Sequence, residues 1–408
     1  MTPTASDTRR PLRVYLVAGE HSGDALGAKL MTALDQLHGA EIAYAGVGGP
    51  LMEARGLTSL FPLSDVAVMG PLAILKRLPL LVRRVKQAAR AAAATSPDVV
   101  VVIDSPEFTQ PIAKRIRRRL PDVPIINYVS PSVWAWRPGR APRMARYIDE
   151  VMALLPFEPD VHRRLGGPHC TYVGHPLIER YAALQSANAP ALAARLGLVT
   201  DARVLVVLPG SRRSEVERLM APFGEAVALL CKNDPSLEVV IPTVPHVREI
   251  VAAKAGAWVK RPHLLDDEAD KLAAFRLARA ALAASGTVTL ELALAGAPMV
   301  VAYRVDALAA QLRFLVKTPH FALANLVLGE RAFPELMQED CEPVRLAAAL
   351  GAIIENGPER ARQLAALARV PERMHLEAGT PSLAAAQIVL RHAQTGRGRA
   401  STRMGADA

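Results

Sequence analysis

The stretch Ala280-Ala-Leu-Ala-Ala-Ser-Gly-Thr-Val-Thr-Leu-Glu-Leu-Ala-Leu-Ala-Gly-Ala-Pro-Met-Val-Val-Ala-Tyr-Arg304 decides the fold class of this chain. Residues 280–284 form an apolar run of the length of a buried strand. Residues 288–295 are apolar except at two positions, as in a helix that packs against a sheet, and 299–303 return to a strand pattern. The Ser-Gly-Thr triplet at 285–287 supplies the turn and the helix start. The stretch therefore predicts a parallel strand–helix–strand unit of an α/β protein.

The turn of this unit has the chemistry of a phosphate site. A helix that follows a parallel strand directs its free N–H groups at the crevice beyond the strand ends. Ser285, Gly286 and Thr287 can hold a diphosphate there, and Glu291 lies one turn further along the same face, where its carboxylate suits a ribose diol. An ordinary capped helix with an acidic residue in its first turn fits the same residues. The stretch alone leaves both interpretations open.

Length and composition indicate a globular chain of two domains. The sequence has 408 residues, of which 51% are hydrophobic and 22% are charged. Aromatic residues make up only 4%, which disfavours a stacking platform for single-stranded nucleic acid. The 3 cysteines are scattered and predict no disulfide framework. We expect no secretory signal at the polar N-terminus, and no apolar run is long enough to span a membrane.

The basic character of the chain is unevenly distributed. The net charge is +10, with +7 in residues 1–180, zero in 181–350 and +3 in 351–408. This distribution predicts an anionic partner for one part of the molecule, either nucleic acid or an anionic membrane surface, although a generally basic composition also explains it. The segment Val66–Arg90 combines an apolar patch with flanking Lys and Arg residues, as membrane-surface elements do. An ordinary helix that covers a sheet fits this segment equally well.

Two series of strands follow each other along the chain. The first begins at Leu12–Ala18, and the second starts afresh at Arg203–Leu208. Gly46-Val-Gly-Gly49 lacks the third glycine of a dinucleotide fingerprint, so we expect no nicotinamide cofactor. The pattern predicts two doubly wound, Rossmann-like α/β domains that face a central cleft. The predicted boundaries are 1–185 for the first domain, 186–357 for the second, 358–395 for C-terminal helices that pack back toward the first domain, and 396–408 for a disordered tail.

Five motifs spread over the chain resemble those of a known family. They are Gly19-Glu-His-Ser-Gly-Asp24, Tyr128-Val-Ser-Pro-Ser-Val-Trp-Ala-Trp-Arg137, Leu208-Pro-Gly-Ser-Arg212, Ala284-Ser-Gly-Thr287 with Glu291, and Gln338-Glu-Asp-Cys-Glu-Pro343. In this order the chain resembles the lipid-A-disaccharide synthases, bacterial glycosyltransferases of the GT-B type. The Trp-Ala-Trp motif is very specific for that family, whereas the Ser-Gly-Thr turn alone is not. The chain departs from the family where Ser-Pro-Glu-Phe-Thr follows Asp104 in place of Ala-Pro-Asp-Phe-Asn, and where Ala324 replaces the proline before Asn325.

The resemblance implies an inverting transfer between two lipid substrates. UDP-2,3-diacylglucosamine would donate its sugar to 2,3-diacylglucosamine 1-phosphate (lipid X), which gives the β-1,6-linked lipid A disaccharide 1-phosphate and UDP. The family needs no metal or other cofactor, and this sequence contains no Asp-x-Asp triplet. The family works peripherally on the cytoplasmic face of the inner membrane. The implied partners are therefore the two lipid substrates and the anionic membrane surface, with a homodimer left open and no nucleic acid.

The resemblance assigns the reaction centre to residues of the first domain. Asp104, at the carboxyl end of a predicted buried strand, is the candidate general base. Glu20 is a second candidate catalytic residue, and Ser22, Gly23 and Asp24 are candidate acceptor contacts at the start of the first helix. A turn cap at Asp104 and a helix cap at Asp24 are the structural alternatives.

The donor contacts are expected in the second domain. Ser211 and Arg212 of the Pro-Gly-Ser-Arg motif can bind the diphosphate, and Arg212 can stabilise the leaving UDP. The backbone of 285–287 would hold the same diphosphate, Glu291 the ribose, and Asn325 the nucleotide or the donor sugar.

Two rival functions stay open at this point. Another GT-B enzyme, such as a UDP-N-acetylglucosamine transferase or a non-hydrolysing epimerase, would share the nucleotide half but not the 128–137 motif. A basic nucleic-acid-binding protein is disfavoured by the scarcity of aromatic residues and by the absence of helix-turn-helix or finger spacing.

Overall fold

The computed structural model describes residues 10–67, 71–305, 318–377 and 379–406, with the backbone alone for 71–76 and 396–406. The chain divides into two compact units. Unit 1 consists of Met1–Pro176 and Leu376–Ala408, and unit 2 consists of Leu177–His375. Each unit is built on its own parallel sheet.

The sheet of unit 1 has seven parallel strands in its described residues. In chain order they are β1 Leu12–Ala18, β2 Ile42–Val47, β3 Thr58–Ser59, β4 Val99–Ile103, β5 Ile125–Tyr128, β6 Glu150–Ala153 and β7 His169–Tyr172. Their spatial order is β3-β2-β1-β4-β5-β6-β7, so the chain winds outward in both directions from the β1–β4 pair. Such a reversal of strand order leaves a crevice at the carboxyl ends of the two central strands.

Helices cover both faces of this sheet. Those before residue 176 are α1 His21–His38, α2 Pro50–Glu53, α3 Pro71–Thr95, α4 Pro106–Arg119, α5 Arg140–Met144 and α6 Glu158–Arg164. Successive residues of β1 alternate between the faces, because Val14 and Leu16 share a core with α1, whereas Tyr15 and Val17 share one with α3 and α4. Burial on both faces explains why β4 is apolar throughout.

Unit 2 repeats this plan with six parallel strands in its described residues. The strands are β8 Val204–Leu208, β9 Glu238–Pro242, β10 His263–Leu265, β11 Ala280–Ala284, β12 Met299–Tyr303 and β13 Glu335–Met337. The α-helices in the part of unit 2 that the structure describes are α7 Tyr181–Gln185, α8 Ala189–Arg195, α9 Arg213–Asn233, α10 Arg248–Ala255, α11 Glu268–Leu277, α12 Val288–Ala295, α13 Leu323–Leu328, α14 Pro343–Ile354 and α15 Pro358–Arg373. The spatial order β10-β9-β8-β11-β12-β13 reverses between β8 and β11.

The last helix, α16 Pro381–Ala406, returns to unit 1 and shares the core of α1. It is also held by Glu150, a buried residue at the start of β6, which accepts hydrogen bonds from Arg391 Nη2 at 3.0 Å and His392 Nε2 at 2.5 Å. Burial raises the pKa of Glu150, but hydrogen bonds from His392 and Thr171 and the positive charges of His392 and Arg391 lower it to about 2. The tail predicted from residue 396 begins inside this helix, and 407–408 lie outside the described residues.

Strand β1 has the bounds that the sequence predicts, β8 begins at Val204, one residue later than predicted, and the first helix differs more. The strand–helix–strand unit of 280–304 is observed residue for residue. Helix α1 begins at His21 instead of near Ala25, so the predicted turn of 19–24 is mostly its first helical turn. The amphipathic segment Val66–Arg90 forms α3 from residue 71 onward, and its residues 68–70 lie outside the described part of the chain.

Candidate functional site

The residues predicted to act on substrate lie in two groups, one in each unit, and each group follows a pair of central strands. In unit 1, residues 19–24 follow β1 and residues 104–109 follow β4. In unit 2, residues 209–212 follow β8 and residues 285–287 follow β11. Both pairs of loops mark the reversal of strand order. Open α/β sheets bind their ligands at such points, beyond the carboxyl ends of the strands.

Ser22 and Asp104 meet although 82 positions separate them in the sequence. Ser22 Oγ donates a hydrogen bond to Asp104 Oδ2 at 3.3 Å, and neither side chain is buried. Gly19 permits the approach of the two loops, because a Cβ there would lie 2.5 Å from the Cβ of Ser105. The pairing of β1 with β4 therefore joins the two predicted loops in one site.

The backbone at Asp104 is strained. Asp104 and Ser105 have φ angles of 52° and 43°, in the left-handed region that residues other than glycine rarely adopt. Ser105 N–H donates to Asp104 Oδ1 at 2.8 Å, and Thr109 Oγ1 donates to the carbonyl oxygen of Asp104 at 2.6 Å. One carboxylate oxygen is thus fixed by the backbone, and the other is directed at Ser22 before any substrate binds.

The remaining predicted residues of the first loop have other surroundings. Glu20 is half-buried and lines a cavity together with Ser105. Asp24 is only 2% exposed. Its carboxylate accepts hydrogen bonds from three backbone N–H groups at the start of α2, those of Gly49 (2.8 Å), Leu51 (3.0 Å) and Met52 (3.0 Å). Asp24 therefore supports the loop from behind, and its contact with the acceptor stays a prediction.

A buried polar network beneath the Trp-Ala-Trp motif was not foreseen from the sequence. Trp134 Nε1 donates to Glu158 Oε1 at 3.1 Å, and Ser130 Oγ lies 2.9 Å from His162 Nε2. Burial raises the pKa of Glu158 to about 7, partly offset by hydrogen bonds from Leu155 N–H and Trp134. Burial lowers the pKa of His162 to about 4, so its imidazole is neutral near pH 7. The only signal was an acidic residue in the first turn of a helix, which is too common to single out Glu158.

The end of the same motif faces solvent. Trp136 is 40% exposed, and the guanidinium of Arg137 lies 4.2 Å from the centre of its ring. Glu107 pairs with Arg137 at 3.1 Å and also with Arg140. The motif is thereby tied to the first turn of α4, close to the strained residues that follow β4.

In unit 2 a buried carboxylate orients Arg212. The Nη1 atom of Arg212 donates to Glu215 Oε1 at 2.8 Å, and 57% of the Arg212 side chain is exposed. Glu215 is 4% exposed and also accepts from Ser211 N–H at 3.1 Å and from the Tyr303 hydroxyl at 2.9 Å. Gly210 leaves room for this carboxylate, because a Cβ there would lie 2.5 Å from Glu215 Oε2. Glu215 also accepts from the Arg212 N–H at 3.1 Å, but an acidic residue in the first turn of a helix is too common a signal to single it out in the sequence.

The Ser-Gly-Thr turn sits at the start of α12 as predicted. Ser285 Oγ donates to the carbonyl oxygen of Phe321 at 2.9 Å, and Thr289 Oγ1 donates to that of Gly286 at 2.9 Å. Thr287 is the N-cap residue, but its hydroxyl makes no capping hydrogen bond and its side chain is exposed. The hydroxyl of Thr287 is therefore placed where a ligand can reach it.

Asn325 is fully buried in unit 2. Its Nδ2 donates to the carbonyl oxygen of Phe333 at 2.9 Å and to Glu335 Oε1 at 2.8 Å. Glu335 also accepts from Phe321 N–H at 3.1 Å, and Phe321 is the residue that receives the Ser285 hydrogen bond. This chain of bonds makes Asn325 an internal support of the turn. Its direct contact with the nucleotide or the donor sugar stays a prediction.

Glu291 lies one turn beyond Thr287, and it has a cationic neighbour that the sequence did not reveal. Lys271 Nζ lies 2.9 Å from Glu291 Oε1 and 3.0 Å from Glu268 Oε1. The Glu291 side chain keeps 13% of its surface exposed. A carboxylate offers about four lone-pair sites, so one lysine does not exhaust its capacity to accept hydrogen bonds.

Two general features of the described residues concern ions and membranes. No group of three or more His, Cys, Asp or Glu side chains among them could hold a metal ion. No helix in that part of the chain is long and apolar enough to cross a bilayer.

Comparison with solved structures identifies the fold. A UDP-GlcNAc 2-epimerase from Neisseria meningitidis, solved with UDP-GlcNAc bound, gives a TM-score of 0.61 at 14% identity over 93% of this chain and 99% of that chain. A trehalose 6-phosphate synthase from Burkholderia multivorans gives 0.58 at 16% identity over 96% and 98%. At such identities the likeness concerns the fold alone. Together with the two parallel sheets it places the chain in the GT-B class, whose members have two Rossmann-like domains.

The sequence comparisons give the particular family. The family model for lipid-A-disaccharide synthetase matches residues 14–389. The lipid-A-disaccharide synthase of Rhodopseudomonas palustris (strain HaA2) is 50% identical over 379 residues, which are 93% of this chain and 95% of that protein. The one from Nitrobacter winogradskyi is 47% identical over 398 residues, 97% and 100% of the two chains. The chain belongs to the lipid-A-disaccharide synthase family and is a glycosyltransferase of lipid A disaccharide synthesis.

Family membership confirms the fold class, the family and the type of reaction that the sequence predicts. It implies lipid-linked sugar substrates and UDP-sugar binding. It gives no support to the epimerase, to another UDP-N-acetylglucosamine transferase or to the nucleic-acid-binding alternative.

Proposed function

We propose that the enzyme transfers 2,3-diacylglucosamine from UDP to the 6-hydroxyl of 2,3-diacylglucosamine 1-phosphate, with Asp104 as general base. The acceptor oxygen attacks the anomeric carbon from the face opposite UDP. A new C–O bond forms while the bond to the UDP oxygen breaks, so the configuration at that carbon inverts. The hydroxyl proton passes to the Asp104 carboxylate, and the electron pair of the broken bond leaves with UDP.

The hydrogen bond from Ser22 to Asp104 carries this proposal. A carboxylate oxygen that accepts from a serine hydroxyl at 3.3 Å can accept from a sugar hydroxyl in the same place. Ser105 N–H occupies the other oxygen, which leaves Oδ2 as the proton acceptor. Glu20 is half-buried and lines the same cavity as Ser105, the residue after Asp104. It would be the second carboxylate near the bound acceptor.

The donor group in unit 2 suits a nucleoside diphosphate. A guanidinium pairs with phosphate oxygens, and that of Arg212 would offset the charge that develops on the departing UDP. Ser211 and the residues 285–287 lie at the ends of the two central strands, where backbone N–H groups meet a diphosphate in this class of fold. Glu291 would accept hydrogen bonds from the ribose hydroxyls.

The membrane partner is proposed for unit 1. This unit has 26 basic and 17 acidic residues, a net charge of +9, whereas unit 2 has a net charge of +1. Arg83, Lys86 and Arg90 line a groove of 760 Å³ along α3. Leu78 and Val82 of the same helix are 48% and 41% exposed. Basic and apolar side chains on one helix suit the anionic, cytoplasmic face of the inner membrane.

Vesicle binding tests the membrane partner. Because each basic side chain near an anionic surface contributes about 1 kcal/mol, replacing Arg83, Lys86 and Arg90 by Gln should weaken binding to phosphatidylglycerol vesicles about a hundredfold. The matched control replaces Lys114, Arg118 and Arg119, three exposed basic residues of α4. Equal losses in both triple variants would show that α3 is not the binding element.

A homodimer, which the resemblance leaves open, stays a prediction that sedimentation equilibrium can test.

The reaction is tested with Asp104→Asn. Asparagine keeps the size of the side chain and tolerates the left-handed backbone, so the variant removes the base and little else. Loss of a general base should lower kcat by a factor of about 10² to 10⁴, with the KM of both substrates nearly unchanged. Asp160→Asn, at an aspartate that is 66% exposed, is the matched control. A folded Asp104→Asn enzyme with nearly full activity would refute the base, and a wild-type enzyme inactive on the two acylated substrates would refute the reaction.

A further inference from the structure

A cavity of 650 Å³ opens in unit 1 between α3 and α4. One helix contributes Leu78, Leu81, Val82 and Val85, and the other contributes Pro106, Phe108 and Pro111. Val85 and Phe108 are each 7% exposed and form inner wall, whereas Leu78 and Val82 are more than 40% exposed and form rim. From Leu78 to Val85 the cavity follows α3 for about 10 Å, at 1.5 Å per residue. Its lining is therefore that of an elongated apolar binding site.

Two residues connect this cavity to the reaction site. Glu20 and Ser105 lie in its wall, and both belong to the loops that bring Ser22 to Asp104. Ser105 directly follows the proposed base and shares its left-handed backbone. A ligand whose apolar part fills the cavity therefore keeps its polar part within reach of the Asp104 carboxylate. The charged residues at this cavity are Arg115 and the two carboxylates Glu20 and Glu107, so its polar end suits the hydroxyl-bearing sugar of a lipid.

We infer that this cavity binds an acyl chain of the acceptor lipid and sets the preferred chain length. The inference rests on the proposed function, because it takes its occupant from the acceptor of that reaction. An acyl chain is the only part of the acceptor that is apolar and elongated. The exposed rim at Leu78 and Val82 lets the chain enter from the lipid surface that α3 is proposed to meet, without passing through water.

Chain length supplies the measurement. Burial of one methylene changes a binding constant by about fourfold, so an acceptor with chains shorter by two methylenes should bind about fifteenfold more weakly if the cavity holds them. The enzyme is assayed with acceptors of three chain lengths in mixed micelles of fixed composition. Binding of the same acceptors is measured by calorimetry without donor, so that occupancy of the cavity is read independently of turnover.

Two substitutions should shift the preference in opposite directions. Leu81→Trp fills part of the cavity and should lower kcat/KM for the longest acceptor at least tenfold while the shortest is turned over nearly as before. Val85→Ala enlarges the cavity and should move the optimum to longer chains. Leu37→Trp adds the same bulk at a 41% exposed position of α1 and should leave the profile of the wild-type enzyme unchanged.

The outcomes separate this inference from the proposed reaction. The cavity does not hold the chain if Leu81→Trp and Val85→Ala change kcat/KM by the same factor for acceptors of every chain length. The same conclusion follows if Leu37→Trp shifts the chain-length preference as they do. If the wild-type enzyme binds the acceptors with the expected chain-length dependence but does not turn them over, the reaction is wrong and the cavity stands. Equal binding of a phospholipid without the sugar, in the same calorimetric measurement, would identify a membrane lipid as the occupant and overturn the inference.

Discussion

The guanidinium of Arg212 donates to the buried carboxylate of Glu215 at 2.8 Å. Because Glu215 is 4% exposed and the Arg212 side chain is 57% exposed, the buried carboxylate binds one side of an otherwise exposed guanidinium. The hydroxyl of Tyr303, at the end of β12, donates to the same carboxylate oxygen. Glu215 is therefore a positioning residue. It orients Arg212, the side chain that is proposed to bind the diphosphate.

Replacing Glu215 by Gln should weaken the hold on Arg212. A hydrogen bond between charged groups contributes about 1.5–3 kcal/mol, so we expect a loss of tenfold to a hundredfold in kcat/KM for the donor. The loss should appear in the KM of the donor and in kcat, with the KM of the acceptor unchanged. Tyr303→Phe removes a neutral hydrogen bond and should have a smaller effect in the same direction.

Glu217→Gln is the control for this prediction. Glu217 lies on the same helix and pairs with Arg213 at 2.9 Å, but both side chains are largely exposed. Such a pair contributes little, so the control should behave as the wild-type enzyme. Equal changes in the two KM values of Glu215→Gln would indicate general damage to unit 2 and contradict the positioning role.

The central part of each sheet could be predicted from the sequence, and the two edge strands of unit 2 could not. Strands β4, β8 and β11 are runs of five apolar residues that only a sheet buried on both faces explains. The edge strands β10 and β13 have three residues each, too few for any periodic pattern to emerge.

The sequence indicated those residues of the candidate site whose position follows directly from the end of a strand. Asp104 and Ser22 could be paired because parallel strands place their carboxyl ends at one edge. Glu158, Glu215 and Glu335 could not be found, because a buried glutamate and a solvated one look alike in the sequence and differ only in tertiary surroundings. These three carboxylates hold loops and do not follow from any local pattern.

The buried Glu158 should make the stability of unit 1 depend on pH. Burial raises its pKa from the ordinary value of 4.5 to about 7. Between these values Glu158 binds one more proton in the folded state than in the unfolded state, so its own contribution to stability falls as pH rises from about 4.5 to about 7 and levels off above. His162 and His175, whose pKa values burial lowers to about 4, contribute in the opposite direction, so the effect of Glu158 is read as a difference between variant and wild type. The change is on the order of 3 kcal/mol. The difference in unfolding free energy between Glu158→Gln and the wild-type protein should therefore change by this amount between pH 4.5 and pH 7, as measured for unit 1 by hydrogen exchange at increasing urea concentrations.

Asp160→Asn serves as the control, two positions further along and 66% exposed. It should retain the pH dependence of the wild-type protein. A Glu158→Gln variant with that same pH dependence would show that the proton is bound elsewhere.

Glu150 should show the opposite dependence. Its pKa is lowered to about 2 in the folded state, so its contribution is fully present above pH 4.5 and is lost as pH falls through about 2. Because its partners Arg391 and His392 belong to α16, we expect this helix to exchange its amide protons first on acidification. Glu150→Gln should give the same rapid exchange over residues 381–395 already at pH 7. Glu53→Gln, at an exposed site on α2, should leave it protected, and protection of α16 in Glu150→Gln would contradict the anchoring role.

Glu291 should discriminate nucleotides by their ribose hydroxyls. If its carboxylate accepts from the diol, Glu291→Gln should lower UDP affinity tenfold to about a hundredfold, since a hydrogen bond to a charged group contributes about 1.5–3 kcal/mol. The same variant should bind 2′,3′-dideoxy-UDP as the wild-type enzyme does, because that nucleotide has no diol to lose. Glu268→Gln removes the other carboxylate beside Lys271, 3.0 Å from its Nζ, and so controls for disturbance of the lysine. Calorimetry measures the affinity for both nucleotides. If Glu291→Gln weakens the binding of UDP and of the dideoxy nucleotide alike, the role of Glu291 lies in its ion pair with Lys271 and not in binding the ribose.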